Sequence, residues 1–151
     1  MLLSKSCVYG IQAAIYVAAQ GGKDYVPISQ IAEHLNISFH FLTKVLQQFT
    51  QAGIMLSYRG PKGGVSLSKP ASQYTLHDLI GAIDGTSIFT ECMLGLPGCG
   101  HDEPCPVHEH WVELRLKFTS VAKKTTLSSL ASKANELNVR LAHFSVAAEK
   151  S

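Results

Sequence analysis

Residues 59–64, with the sequence Arg-Gly-Pro-Lys-Gly-Gly, restrict the possible folds of the chain more than any other segment. Closely spaced glycines and a proline interrupt both helices and strands, so the backbone must turn here. Strand-forming apolar residues precede the turn at 54–58, and residues 65–68 alternate between apolar and polar side chains after it. The sequence therefore predicts a β-hairpin with two cations, Arg59 and Lys62, at its tip.

A pair of short helices is predicted directly before this hairpin. Apolar residues recur at helical spacing after Pro27 and again after Ser38, whose hydroxyl can cap the second helix. Another helix is predicted over 4–20, and a fourth starts with a capping box at Thr75 and ends at Asp84. The predicted fold class is mainly α with a small β-hairpin wing, which is a winged helix-turn-helix.

The charge distribution of this region suits a polyanion. Between Glu33 and Asp78 there is no acidic residue, whereas lysines and an arginine lie there. The second helix of the pair is expected to enter a major groove and the hairpin to approach phosphates. The candidate DNA-binding residues are Ser38, His40, Thr43, Lys44, Arg59 and Lys62. The alternative is an ordinary helical hairpin with a polar outer face, followed by a generic basic hairpin.

The composition of the chain is typical of a globular protein without membrane-spanning segments. The chain is 46% hydrophobic, which allows a compact core, and it has a net charge of only +2. No run of about eighteen apolar residues occurs, so we expect no membrane-spanning segment. We find no signal-peptide pattern and expect a cytoplasmic protein. Because cytoplasmic thiols stay reduced, its cysteines are better candidates for metal binding or sensing than for disulfides.

Three cysteines lie in a segment, 84–106, that is rich in glycine and proline and is predicted to be irregular. Cys92, Cys99 and Cys105 are separated by six and five residues, which is wider than the spacing of a zinc knuckle. A wide glycine-rich loop favours a larger group, a two- or four-iron cluster. Spacing leaves the fourth ligand open among His108, His101, Asp102, Glu109, His110 and Cys7. Cys7 itself is interpreted as a small core residue.

The last part of the chain is predicted to be helical. Val107, Trp111, Leu114, Phe118 and Val121 recur at heptad spacing, which indicates a helix that pairs with a partner helix in a dimer. The alternative is a helix lying on its own domain. A second helix follows Thr125-Thr126 and includes Leu127 and Leu137. The predicted parts are a DNA-binding domain over 1–84, a cluster-binding loop over 85–106, dimerisation helices over 107–137 and a tail over 138–151.

Taken together, these features resemble the Rrf2 family of bacterial regulators, and most closely its iron–sulfur cluster regulator branch. The resemblance covers nearly the whole chain. It is carried by Leu3-Ser4-Lys5 with Tyr9-Gly10-Ile11, by the helix pair from Ile28 to Leu46, by the wing from Arg59 to Val65, and by the three-cysteine loop.

The resemblance implies a homodimer that binds a near-palindromic DNA operator and a cluster whose state changes DNA affinity. By analogy, Cys92, Cys99 and Cys105 correspond to the family's cluster cysteines, and His108 corresponds to the histidine ligand of the branch with a 2Fe–2S cluster. The first cysteine gap is one residue longer than in that branch, so a 4Fe–4S cluster stays open. The acidic first-helix ligand of the nitric-oxide-sensing branch has no counterpart, since Cys7 and Val8 occupy the nearby positions.

The predicted function is therefore a transcription regulator that senses iron–sulfur or redox status. The alternative on the same fold is a regulator that binds zinc or switches between thiols and a disulfide. No acid or base lies in a motif near a nucleophile, so an enzyme is not expected.

Overall fold

A computed structural model describes residues 2–100 and 102–136. Within this part the fold is mainly α with a single two-stranded antiparallel hairpin, as predicted. The helices are α1 (Lys5–Ala19), α2 (Ile28–Leu35), α3 (Phe39–Gln51), α4 (Leu76–Ile83), α5 (Ser87–Thr90), α6 (His108–Lys124) and α7 (Leu127–Glu136), and the strands are β1 (Met55–Tyr58) and β2 (Gly64–Leu67). None of the described helices is long and apolar enough to cross a membrane.

The turn between α2 and α3 follows from local chemistry. Asn36 ends α2 in the left-handed conformation with φ of 54°, which asparagine tolerates better than most residues. The Ser38 side chain accepts a hydrogen bond from the Phe41 backbone N–H and so caps α3, as predicted. The predicted apolar stripe of α3 is buried at Leu42, Val45, Leu46 and Phe49.

The hairpin is joined to the helical part through the chain between α1 and α2. Met55 pairs with Leu67 and Tyr58 pairs with Gly64, so the turn lies between Tyr58 and Gly64. Val65 also exchanges two backbone hydrogen bonds with Val26, at 2.8 and 2.9 Å. These bonds continue the pairing beyond the hairpin and fix its direction relative to α2 and α3.

The core forms around α1, which packs against α2, α3, α4 and α7. The largest apolar cluster joins α1 to α3 through Val17, Leu42 and Phe49, and it also includes Leu127 of α7. A smaller cluster contains Cys7, Ile80, Phe89 and Ala122 and so joins α1 and α4 to α5 and α6. Cys7 is fully buried there, which confirms its interpretation as a core residue.

The C-terminal half departs from the sequence prediction at two places. The segment expected to be irregular contains α5, a single helical turn held by the burial of Phe89 against Phe118. The expected seam of α6 is divided, because Trp111 and Phe118 pack on their own chain while Leu114 and Val121 are exposed. Leu137 and the expected tail over 138–151 lie outside the described residues.

Candidate metal centre and nucleic-acid interface

The three loop cysteines converge on one point between α5 and α6. The Sγ atoms of Cys92, Cys99 and Cys105 all lie within 4.8 Å of one another. Those of Cys92 and Cys105 are 3.5 Å apart, and the Cys105 backbone N–H donates to the Cys99 sulfur at 3.4 Å. The Nδ1 atom of His108 lies 3.4 Å from the Cys99 sulfur. The loop thus brings together all four residues predicted as ligands.

Local turns produce this convergence. The Gly95 N–H donates to the Cys92 carbonyl at 3.0 Å, and the Cys99 N–H donates to the Leu96 carbonyl at 3.4 Å. Gly95 and Gly98 have φ of 68° and 71°, a region that glycine enters without a steric penalty. The loop therefore folds back twice over six residues, and this brings Cys92 and Cys99 to the same side.

Hydrogen bonding and burial give the thiols different acidities. Hydrogen bonds from the backbone of Leu96 and, more weakly, of Leu94 lower the pKa of Cys92 to about 7. Burial raises the pKa of Cys105 above its usual value. Cys92 is consequently the thiol more readily ionised at neutral pH, and the thiolate is the form that binds a metal.

The donor set fits a soft metal centre. Three thiolates and an imidazole select zinc, copper(I) or iron–sulfur, whereas calcium and magnesium require oxygen ligands. Among the other fourth-ligand candidates, Asp102, Glu109 and His110 are exposed and lie outside the three-cysteine group, while His101 is not described. Cys7 lies in the core, where burial and the nearby Asp84 carboxylate raise its pKa to about 12. His108 differs from these candidates in its contact with the Cys99 sulfur, at 3.4 Å from Nδ1.

The predicted DNA-binding residues occupy the face formed by α3 and the hairpin. Ser38, His40, Lys44, Arg59 and Lys62 are all exposed. Thr43 is half-buried, and its hydroxyl donates to the Phe39 carbonyl at 2.7 Å, so its methyl group and oxygen lone pairs remain for other contacts. A groove of about 490 Å³ separates α3 from the hairpin, and both Thr43 and Arg59 line it.

Comparison with known proteins assigns this architecture. The sequence model of the Rrf2 family, described as "Iron-dependent Transcriptional regulator", matches residues 3–133. The chain belongs to the Rrf2 family. It is a transcriptional regulator of that family, and α2, α3 and the hairpin are its winged helix-turn-helix.

Individual Rrf2 relatives agree with this assignment. The HTH-type transcriptional regulator IscR of Cronobacter sakazakii is 30% identical over 139 residues, which is 92% of this chain and 85% of that protein. The structure of CymR, the global cysteine regulator of Bacillus subtilis, has a TM-score of 0.72 at 27% identity and covers 87% of this chain and 96% of that chain. An oxidized form of Staphylococcus aureus CymR has a TM-score of 0.69 at 28% identity with the same coverage.

Sequence reasoning missed one feature of the site. The Trp111 Nε1–H donates to the Glu91 carbonyl at 2.8 Å, and the Arg115 Nη1 donates to the carbonyls of Thr90 and Glu91, both at 3.1 Å. The heptad spacing places Trp111 in the predicted dimer seam and predicts no role for Arg115. The only signal was their spacing from His108 by three and seven residues, which places all three on one face of a helix.

Proposed function

We propose that this protein is a homodimeric DNA-binding regulator that senses iron–sulfur or redox status through a cluster bound by Cys92, Cys99, Cys105 and His108. The observation that carries the proposal is the convergence of three cysteine sulfurs within 4.8 Å, with a histidine nitrogen 3.4 Å from one of them. The favoured cluster is 2Fe–2S, and 4Fe–4S is the second choice. The similarity to the HTH-type transcriptional regulator IscR, at 30% identity over 92% of this chain, supports a DNA-binding regulator of this kind.

The four proposed ligands would contribute different atoms to the metal centre. Cys92, whose pKa is lowered to about 7, would supply a thiolate at neutral pH, and Cys99 and Cys105 would complete the sulfur ligands. His108 contributes a ring nitrogen from the first turn of α6, so the centre would connect the loop to that helix. When bound, an iron–sulfur cluster supplies a redox-active and oxidant-sensitive group.

DNA would be bound through α3 and the wing. Ser38, His40, Thr43 and Lys44 lie in the N-terminal half of α3, the part of a recognition helix that approaches base edges in the major groove. Arg59 and Lys62 would neutralise phosphates or enter an adjacent minor groove. A dimer places two such faces on half-sites about one turn of DNA apart, which requires a near-palindromic operator. The cytoplasm is the proposed compartment because the thiols must stay reduced.

A specific observation favours a second candidate. The Cys92 and Cys105 sulfurs are only 3.5 Å apart, a separation that also suits two ligands of one tetrahedral zinc ion or two thiols ready to form a disulfide. CymR, a structural neighbour, is named as a cysteine regulator and has an oxidized form. The alternative is therefore a zinc-bound or thiol–disulfide regulator on the same fold.

Anaerobic purification separates the two candidates. We expect a coloured protein with about two irons and two sulfides per chain for a 2Fe–2S cluster, and an electron paramagnetic resonance signal after one-electron reduction. Replacing Cys92, Cys99 and Cys105 together by Ala should abolish both iron and sulfide and change operator affinity. The matched control is Cys7→Ala, which removes the fourth cysteine and should leave the metal content unchanged. A colourless protein with one zinc per chain would support the alternative.

A further inference from the structure

Two side chains of α6 donate hydrogen bonds to the backbone immediately before Cys92, the first cysteine of the proposed cluster site. Trp111 donates one hydrogen bond to the Glu91 carbonyl, and Arg115 donates to the carbonyls of both Thr90 and Glu91. Glu91 directly precedes Cys92, so these bonds hold the chain one residue from a proposed ligand. We refer to Trp111 and Arg115 with these two carbonyls as the α6 clamp.

The clamp compensates for a weakness of α5. This helix is four residues long, and a single turn leaves its last carbonyls without partners inside the helix. Arginine side chains can satisfy such carbonyls, and a charged donor makes a stronger hydrogen bond than a neutral one. The stacking of Phe89 on Phe118, with ring centroids 5.5 Å apart, adds an apolar contact between the same two helices. Contacts from α6 thus hold the residue directly before Cys92, in addition to the contacts that Cys92 makes within its own loop.

The same face of α6 reaches the other end of the cysteine loop. His108, Trp111 and Arg115 are spaced by three and four residues and therefore share one side of the helix. His108 lies beside Cys99, while Trp111 and Arg115 hold the residue before Cys92. One rigid helix consequently supports both boundaries of the proposed metal centre.

We propose that Trp111 and Arg115 are positioning residues that fix Cys92 relative to α6 and transmit changes at the metal centre to that helix. This inference rests on the proposed function, because it assumes that a group is bound at Cys92. If a change at the centre displaces the backbone at Cys92, the displacement strains these hydrogen bonds at the preceding residue. The strain then acts on α6, the helix whose exposed apolar face is proposed to join two protomers.

The test uses variants that remove the hydrogen bonds and preserve shape. Trp111→Phe keeps an aromatic ring and removes the Nε1–H, and Arg115→Met keeps an unbranched apolar stem and removes the guanidinium. Arg115→Lys retains the cation and serves as the conservative rescue. Lys117→Met is the matched control, because Lys117 is exposed on the same helix and its recorded side-chain partner is Glu113 rather than α5.

Three measurements follow on full-length, anaerobically prepared protein. The first is amide hydrogen exchange over residues 87–99 after chelator treatment, which needs no bound cluster. The second is the half-life of the cluster absorption in the presence of chelator, together with the visible circular dichroism spectrum. The third uses one DNA duplex, selected from random sequences by the wild-type protein with its cluster bound. For this duplex we measure the dissociation constants of the protein with and without the cluster and compare their ratio.

We expect the double variant W111F/R115M to bind iron and sulfide in wild-type ratio but to differ in all three measurements. Exchange over 87–99 should accelerate, and the half-life should fall by at least about fivefold, the factor expected for losing one hydrogen bond of ordinary net strength. The circular dichroism should change, and the ratio of dissociation constants should move towards one. Arg115→Lys should recover part of each effect, and Lys117→Met should match the wild type.

Three results would overturn the inference, and they distinguish its failure from that of the proposed function. If the wild type holds a cluster and the double variant has wild-type exchange, circular dichroism and affinity ratio, the clamp does not position Cys92, and the proposed function stands. If the double variant has a lower unfolding midpoint but wild-type exchange, circular dichroism and affinity ratio, Trp111 and Arg115 have only a structural role. The inference then fails, and the proposed function stands. If the wild type itself binds neither iron nor sulfide, the proposed function and this inference both fail.

Discussion

Gly64, at the start of β2, illustrates how one residue can determine a local fold. Its φ is 150°, and a Cβ atom at this position would lie 2.0 Å from the Val26 carbonyl oxygen. The close approach is required because Val26 pairs with the neighbouring Val65 and so brings its backbone against Gly64. The glycine therefore allows the wing to attach to the helical part of the domain.

Replacing Gly64 by Ala should lower the free energy of unfolding by at least about 1–3 kcal/mol, the typical cost of a strained backbone position, because the clash adds to the unfavourable φ. Urea denaturation followed by circular dichroism measures the change. Gly53→Ala is the control, since Gly53 has a φ of 77° but no atom within 4 Å of the added Cβ. Equal losses in the two variants would contradict the role of the Val26 contact.

The different acidities of Cys92 and Cys7 predict different rates of alkylation. The pKa of Cys92 is lowered to about 7 and that of Cys7 is raised to about 12, so at neutral pH Cys92 has a far larger thiolate fraction than Cys7. After removal of metal by chelator, iodoacetamide should modify Cys92 at a rate that rises with pH and approaches a plateau above about pH 8. Cys7 should stay unmodified. Peptide mass spectrometry measures both, and rapid labelling of Cys7 would contradict this assignment.

At the scale of elements, α3 and the wing are held as one unit by the core and by the Val26–Val65 pairing. Thr43 and Gln47 of α3 and Arg59 of the wing line a shared groove, and residues 34–77, which include both elements, contain no acidic side chain. Such a surface attracts phosphates over a distance set by the salt concentration. The wing arginine is the cation within this groove lining.

Arg59→Ala should weaken operator binding, and the slope of log affinity against log salt should decrease by about one, as expected for the loss of one phosphate contact. Fluorescence anisotropy at several salt concentrations measures both quantities. Lys123→Ala, an exposed charge in the last turn of α6, provides the control and should leave the slope unchanged. An unchanged slope in Arg59→Ala would argue against a phosphate contact by the wing.

For the whole molecule, α6 connects the metal centre to the proposed dimer interface. Leu114 and Val121 are each 57% exposed and lie seven residues apart, so they form an exposed apolar strip that runs beside the α6 clamp. Exposed apolar residues at this spacing suit the pairing of two helices. A change at the cysteine loop would thus reach the interface through the body of one helix.

The double variant L114E/V121E should prevent dimerisation, because two carboxylates from each protomer would be brought together in an apolar seam. Analytical ultracentrifugation should show the mass of one 16.3 kDa chain in place of twice that value. Operator affinity should fall as well, because each half-site is then bound separately. Leu116→Glu, at 64% exposure and on the opposite side of α6 from Leu114, is the control. A variant that stays dimeric would place the interface elsewhere.

The sequence by itself determined the elements whose signals are local. The α3 stripe, the Ser38 cap, the capping box of Thr75 with Asp78, and the turn at 59–64 all depend on neighbours within a few residues. Side-chain spacing and caps act over that range, so the winged helix could be predicted before any long-range contact was known. The motifs of the wing and the cysteine loop likewise identified the family.

Only the tertiary structure decided the features that depend on residues far apart in the chain. The single turn of α5 exists because Phe89 is buried against Phe118, and the carbonyls at its end accept hydrogen bonds from Trp111 and Arg115, which lie 20 to 25 positions later. Spacing showed that Cys92, Cys99 and Cys105 could share a group, but their convergence required two glycine turns and the support of α6. Such contacts form only when packing brings distant segments together, so the periodicity of nearby residues cannot predict them.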